Sequence, residues 1–225
     1  MKARLATLVA VALLVGAASL SAQDPRLVER LDAATAAEIA TIVASARTAG
    51  LPVEPLVDRA LEGASKGAAG SRIVAAVRAL AQELAVARLA LGAGASEGEV
   101  TAGAGALRSG ADPATLTRLR AARQGGVLTV PLGVLADLIA RGVPTDVATG
   151  AVLDLARSHA SDAEFVALGR NVERDILAGA PPAVAAAVRA RGMPSTLPPS
   201  SPSTAAAATG DKGTTTQGQP PRRRP

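Results

Sequence analysis

The chain has 225 residues and a formal net charge of +5, with no cysteine, one histidine and a single aromatic residue, Phe165. These counts exclude disulfides and cysteine-bound metals, and they leave few of the side chains that enzymes use for acid–base or nucleophilic chemistry. The excess positive charge lies at the two ends, on Lys2 and Arg4 and on residues 222–224, so the body over residues 23–193 is formally neutral. A neutral body argues against a nucleic-acid-binding domain.

Residues 1–22 have the layout of a secretory signal peptide. Two basic residues precede an apolar run from Leu5 to Val15, and small residues follow up to Ala22. The apolar run is shorter than the roughly 20 residues that a membrane-spanning helix requires. We therefore predict export to the periplasm or the extracellular space. The alternative is an uncleaved N-terminal helix that anchors the protein to a membrane.

Helix-start signals divide the first half of the body. Asp24 and Pro25 begin a helix, and Thr35 with Glu38 forms a capping box that restarts it and carries it to residue 49. A second helix begins at residue 55 and frays through the glycine-rich residues 63–70. Ser71 is predicted to cap the longest helix, because an apolar stripe at helical spacing follows it. The stripe comprises Ile73, Val77, Leu80, Leu84 and Leu91.

The second half contains stronger start signals. Ser96 with Glu99, and Ser161 with Glu164, form capping boxes, while Asp112 stands before a proline. Residues 125–130 are predicted to form an extended connector. The predicted helices are 96–109, 113–124, 131–141, 144–158, 162–178 and 181–191. One face of the helix over 162–178 carries Phe165, Leu168, Val172 and Ile176, which are predicted to be buried.

Glycine followed by proline two or three positions later recurs at the ends of these helical patterns. A glycine suits the left-handed conformation that ends many helices, and a proline begins the next helix readily. Such corners lie at Gly50, Gly110, Gly142, Gly179 and Gly192. The first four of these glycines are separated by 60, 32 and 37 residues. The last two spacings lie near the roughly 34 to 45 residues of common helical-hairpin repeats, and the first would hold more than one such unit.

The sequence therefore predicts an all-α protein built from degenerate helical hairpins, packed as an irregular bundle or a short solenoid over residues 23–193. Residues 194–225 are rich in proline, serine and threonine and hold almost no large apolar group. Such a segment cannot bury enough surface to offset its ordering entropy, so we predict a disordered C-terminal tail. The tail ends in Arg222, Arg223 and Arg224, which could contact an anionic surface.

A weak candidate for anion binding lies at the start of the longest helix. Gly70 and Ser71 would present free backbone amides there, with Lys66 and Arg72 nearby. The pattern is not a P-loop, because no strand precedes it and no Lys-Ser or Lys-Thr pair follows the glycine. A turn between helices, with Lys66 paired to Glu62 one helical turn earlier, explains the same residues more simply.

Other reactive side chains are best explained as structural. His159 stands at a predicted helix end, where it can interact with the last carbonyls and the helix dipole. Four arginines suggest a solvated basic face, and five carboxylates near the C-terminal helices are assigned to the surface. The arginines are Arg108, Arg118, Arg120 and Arg123, and the carboxylates are Asp154, Asp162, Glu164, Glu173 and Asp175.

These patterns favour an exported, non-catalytic helical protein that interacts with another protein through its helix faces or has a structural role in the cell envelope. No catalytic residue, metal ligand or cofactor site is predicted, and nucleic acid is not an expected partner. The alternative is a protein that binds a membrane or another polyanion through its arginine-rich face and its tail. An enzyme of unrecognised type is a less favoured third hypothesis.

Overall fold

The computed structural model describes residues 24–192, which form ten α-helices and no β-strand. The predicted signal peptide, residues 1–22, and the predicted disordered tail, residues 194–225, lie outside the described residues. None of the helices over residues 24–192 is long and apolar enough to cross a membrane. The helices are α1 (Pro25–Arg30), α2 (Ala33–Thr48), α3 (Glu54–Ser65), α4 (Gly70–Leu91), α5 (Glu97–Arg108), α6 (Pro113–Ala122), α7 (Thr129–Ala140), α8 (Thr145–Arg157), α9 (Asp162–Leu177) and α10 (Pro182–Ala190).

Helices that lie two apart in the chain pack side by side. From α4 onward they form two rows, with α4, α6, α8 and α10 in one row and α5, α7 and α9 in the other. Contacts of α4 with α5, α7 with α8 and α9 with α10 join the rows, while α1, α2 and α3 pack at the start of the stack, where α2 and α3 contact α4. The predicted all-α architecture of packed helical hairpins is confirmed.

Small side chains let these helices approach closely. Alanine, valine and leucine dominate the buried core, and Phe165 is its largest fully buried side chain. At Gly103 in α5, an added Cβ atom would lie 3.1 Å from Ala87 Cβ and from Leu91 Cδ1, both in α4. That separation is tighter than ordinary van der Waals contact, so a larger residue at this position would have to push the side chains of α4 away by a few tenths of an ångström.

Six of the helices in the described part of the chain end with the same hydrogen-bonding pattern, which is visible at the end of α7. The backbone N–H of Gly142 donates to the carbonyl oxygen of Ile139 (2.9 Å), and the N–H of Val143 donates to that of Leu138 (3.1 Å). The φ angle of Gly142 is +84°, and Val143 is buried against the core. This arrangement is a Schellman motif with its apolar contact, as the glycine corners predicted.

His159 occupies the corresponding place after α8. Its φ angle of 56° is the one positive value among the described residues other than glycine. Its N–H donates to Ala156 O (3.2 Å), and the N–H of the buried Ala160 donates to Leu155 O (3.0 Å). His159 therefore ends its helix through its backbone, while its side chain is exposed.

We expect His159→Gly to raise the free energy of unfolding by about 0.5 to 1 kcal/mol, because glycine adopts a left-handed conformation without the cost that a Cβ atom imposes. The matched change, Gly142→Ala, should lower it by about 1 kcal/mol. The nearest heavy atom to the new Cβ would be Pro182 Cγ at 3.9 Å, so the effect is conformational rather than steric. Urea denaturation of both variants measures these two free energies of unfolding. Changes of equal size and the same sign would contradict the role of the left-handed conformation.

Three predicted helix starts are wrong. Asp32, not Thr35, caps α2, and its carboxylate accepts the backbone N–H of Thr35 (3.0 Å). The longest helix, α4, begins at Gly70 after Ala69, so Ser71 lies inside the helix and is not its cap. Helix α7 begins at Thr129, two residues before the expected proline, which shortens the predicted extended connector. The predicted fraying of α3 is also absent, because this helix stays regular to Ser65.

Candidate functional site

The four residues of the predicted anion site lie around the turn from α3 to α4. Lys66 and Arg72 line a shallow pocket of about 170 Å³, and Lys66 Nζ forms an ion pair with Glu62. An added Cβ atom at Gly70 would lie 3.3 Å from Asp32 Oδ2, so a carboxylate of the chain itself already stands beside the start of α4. The structure thus brings the four residues together but places acidic side chains among them.

The four arginines of the predicted basic face do not form one solvated surface. Arg118 is exposed as expected, and Arg108 forms a half-exposed ion pair with Glu83 (2.7 Å). Arg120 and Arg123 are largely covered, and each has a carboxylate partner from another helix or helix start. The prediction of a solvated basic face is therefore wrong for these two residues, whose charges are used inside the protein.

Arg120 belongs to a buried polar cluster centred on Glu99. Glu99 Oε2 accepts the N–H of Ser96 (2.8 Å), which confirms the predicted capping box, while Oε1 accepts the N–H of Leu128 (2.9 Å) and binds the Arg120 guanidinium. Arg120 Nη1 also donates to Gly126 O (3.0 Å). One carboxylate and one guanidinium thus join α5, α6 and the segment that leads into α7.

The cluster holds Glu99 in its ionised form. Burial acts to raise the pKa of its carboxyl group, but the hydrogen bonds from the N–H of Ser96, the Arg120 guanidinium and the N–H of Leu128 outweigh that effect and lower the pKa to about 2. Glu99 is therefore charged at any physiological pH, and it supplies neither a proton nor a free base to a ligand.

A second buried ion pair joins the last two helices. Asp175 in α9 binds Arg189 in α10 through two short bonds, from Nε to Oδ2 (2.7 Å) and from Nη2 to Oδ1 (2.8 Å). Asp175 is buried, so the assignment of this carboxylate to the surface is wrong. The other four carboxylates of that prediction are wholly or partly exposed; Glu173 pairs with Arg141 (2.7 Å).

Arg123 lies against the sole aromatic ring of the chain. Its guanidinium carbon is 5.3 Å from the centre of the Phe165 ring, and its Nη2 binds Asp162 Oδ1 (2.9 Å) at the start of α9. Because a cation over a ring face is attracted by the ring quadrupole, Arg123 fastens the end of α6 to α9 while it covers Phe165.

A groove between α6 and α8, lined mostly by polar residues, was missed by sequence reasoning. It has a volume of about 500 Å³. An added Cβ atom at Gly110, just before α6, would lie 4.0 Å from Thr145 Oγ1 in the first turn of α8, so the two helices begin at the same end of the groove. The lining residues are Asp112, Thr115, Arg118, Thr145, Asp146, Thr149, Gly150, Leu153 and Arg157.

Thr149 is the unusual member of this groove. The residue is 6% exposed, and its Oγ1 atom is buried without a hydrogen-bond partner among the described residues. A buried hydroxyl without a partner costs free energy, so such a group in a folded protein requires an explanation. Threonine within a helix is a weak signal, and nothing in the sequence distinguished this one.

The described part of the chain holds no group of three or more histidine or acidic side chains that could bind a metal ion. His159, at the left-handed turn after α8, therefore belongs to no such group. Comparisons of the chain with models of known protein families, with curated proteins and with solved structures found no match.

Proposed function

We propose that this chain is an exported, non-catalytic helical module that binds another protein through the exposed faces of its stacked helices. The observation that supports it is the two-row arrangement of α4 to α10, because side-by-side helices present long, shallow surfaces of the kind that repeat proteins use for binding. The charged side chains of the interior also have structural partners, as Glu99 with Arg120 and Asp175 with Arg189 show.

Site-specific photocrosslinking in the native host tests this function. A photoreactive residue at Ala121 in α6 or Asp154 in α8 reports on one row, and one at Thr101 in α5 or Asp137 in α7 reports on the other. All four positions are exposed, so the substitutions leave the core intact. We expect a discrete protein adduct from the positions of one row and none from the other.

The same experiment tests the alternative function, which is binding to an anionic surface such as a membrane. Adducts with lipid from both rows, together with sedimentation of the full chain on vesicles that contain anionic lipid, would replace the proposal by that alternative. The paired state of Arg108, Arg120 and Arg123 leaves fewer free cations for such binding than the sequence suggested.

A further inference from the structure

We propose that an exposed face of α4 pairs with the same face of a second copy of this chain, in a parallel dimer related by a twofold axis. This inference goes beyond the proposed function, because the partner is a second copy rather than a different protein. Its support comes from the spacing and exposure of the residues along this face, from their types and from two charged side chains that flank them.

The exposed face of α4 has the spacing of a coiled-coil seam. Its five residues are four, three, four and three positions apart, and all are exposed: Ala75, Ala79, Gln82, Val86 and Leu89. The exposed fraction of Leu89 is 82%, although α2, α3, α5 and α6 all pack against this helix. A spacing that averages 3.5 residues keeps such a stripe directed at a second helix along its whole length, so the face suits a partner helix.

The residue types along the seam favour a pair of parallel helices. Val86 and Leu89 fill the two seam positions of the last heptad, and a β-branched residue at the first with leucine at the second favours parallel two-stranded coiled coils. Ala75 and Ala79 let the helix backbones come close at the other end. In the middle, Gln82 faces its own copy, and because a carboxamide both donates and accepts hydrogen bonds, the two side chains can satisfy each other.

Two charged side chains flank the seam on opposite sides and complement each other across a parallel pair. Arg78 and Glu83 lie five positions apart, the separation at which flanking residues of parallel helices meet. Within residues 24–192, Arg78 has only a long contact with Glu38 (3.9 Å). Arg108 binds Oε2 of Glu83 (2.9 and 2.7 Å), which leaves Oε1 to accept a hydrogen bond from Arg78 of the second copy. In an antiparallel pair the two copies of Glu83 would face each other, so the charges select the parallel orientation.

The neighbouring helices extend this face with uncharged side chains. Thr41 and Ser45 follow Glu38 on α2, Thr117 lies on α6 beside α4, and all three are exposed. Their hydroxyl groups already donate to backbone carbonyl oxygens (3.0, 3.0 and 3.2 Å), so covering them would leave no donor unsatisfied. The seam is about 21 Å long. This is short for the roughly 800 Å² per partner of a standard interface, so we expect a dissociation constant of about 10 to 100 µM.

Single-cysteine variants of the full chain test the pairing, because the chain has no cysteine of its own. A parallel pair brings each seam residue next to its own copy, so Gln82→Cys and Leu89→Cys should both form a disulfide-linked dimer under mild oxidation. Leu177→Cys is the matched control, because Leu177 is exposed to a similar extent (81%) on α9. We expect the two seam variants to form dimer about tenfold faster than this control or more. Equal rates for all three variants would overturn the proposal, and so would a dimer from Gln82→Cys alone, which an antiparallel pair would give.

Analytical ultracentrifugation of the full chain measures the association itself. We expect Leu89→Arg to weaken the dimer about tenfold or more and Leu177→Arg to leave it unchanged. Arg78→Glu should weaken it severalfold, and added salt should weaken the dimer of the original chain but not that of this variant. Because Leu89 and Arg78 are exposed, both variants should keep the melting temperature of the monomer, which separates dimerisation from folding. A chain that stays monomeric up to about 500 µM would overturn the dimer, whereas photocrosslinks to a different protein would still support the proposed function.

Discussion

Replacing Phe165 with alanine is expected to lower the free energy of unfolding by about 3 to 5 kcal/mol, the range for deleting a buried aromatic side chain. Phe165 is fully buried, and the rest of the buried core consists mainly of leucine, valine and alanine, so no second large side chain is available to occupy the space that its loss would create. The change also removes the ring beneath Arg123. Domains of this size have about 5 to 15 kcal/mol of stability in total, so the effect is a large share of it.

Thermal and urea denaturation of the full chain measure this effect. Leu177→Ala is the matched control, because Leu177 ends the same helix with 81% of its surface exposed, and it should change stability by less than about 0.5 kcal/mol. Phe165→Leu keeps an apolar side chain and should lose only about 1 to 2 kcal/mol, which keeps the test informative if the alanine variant does not fold. Similar losses from Phe165→Ala and Leu177→Ala would contradict the packing described for α9.

Replacing Glu99 with glutamine is expected to cost about 3 kcal/mol at neutral pH, because the change leaves the guanidinium of Arg120 without its buried counter-charge. It also replaces one of the two oxygens that accept hydrogen bonds from Ser96 and Leu128 by an amino group that cannot accept them. Urea denaturation at pH 7 gives the difference in the free energy of unfolding directly.

The effect of Glu99→Gln should shrink as the pH falls. The pKa of Glu99 is lowered from 4.5 to about 2 on folding, so the unfolded chain binds the proton more tightly than the folded one. The stabilisation from this group is fully present above about pH 4.5, and it is lost as the pH falls towards 2. The shift corresponds to about 3 kcal/mol.

Glu164→Gln provides the matched control for Glu99→Gln. Glu164 forms the same capping box with Ser161 but lies exposed at the start of α9, and no arginine of residues 24–192 pairs with it as Arg120 pairs with Glu99. Its pKa is lowered by hydrogen bonds from Ser161 alone, so its substitution should cost much less and alter the acid dependence less. Equal losses from the two variants would show that Glu99 acts only as a helix cap.

Local signals in the sequence determine most of this fold. The capping boxes at Ser96 and Ser161 and the glycine corners predicted helix boundaries that the structure confirms. Asp32 and Thr35 stand three positions apart, and both residue types are preferred helix N-caps, so the local sequence does not decide between them. In the structure the helix starts after Asp32. His159 at a glycine-like turn was detectable in principle, since an alanine follows it just as one follows Gly110 and Gly179.

The partners of buried charges were not predictable in the same way. Arg120 meets Glu99, which lies 21 positions earlier, and Arg123 meets Asp162, which lies 39 positions later. Composition and helical spacing place an arginine on a face of its own helix, but they do not reveal which helix covers that face. The groove between α6 and α8 was missed for the same reason, because it exists only where two helices separated in the chain lie side by side.

The stacking of helices with their near neighbours in the chain also bears on how the protein folds. Each extensive contact joins helices that are adjacent or two apart in the chain, so forming it closes only a short loop. Proteins with such low contact order fold quickly, because little chain entropy is lost before native contacts form. Folding of this stack can therefore nucleate at any neighbouring pair of helices and propagate in both directions along the chain.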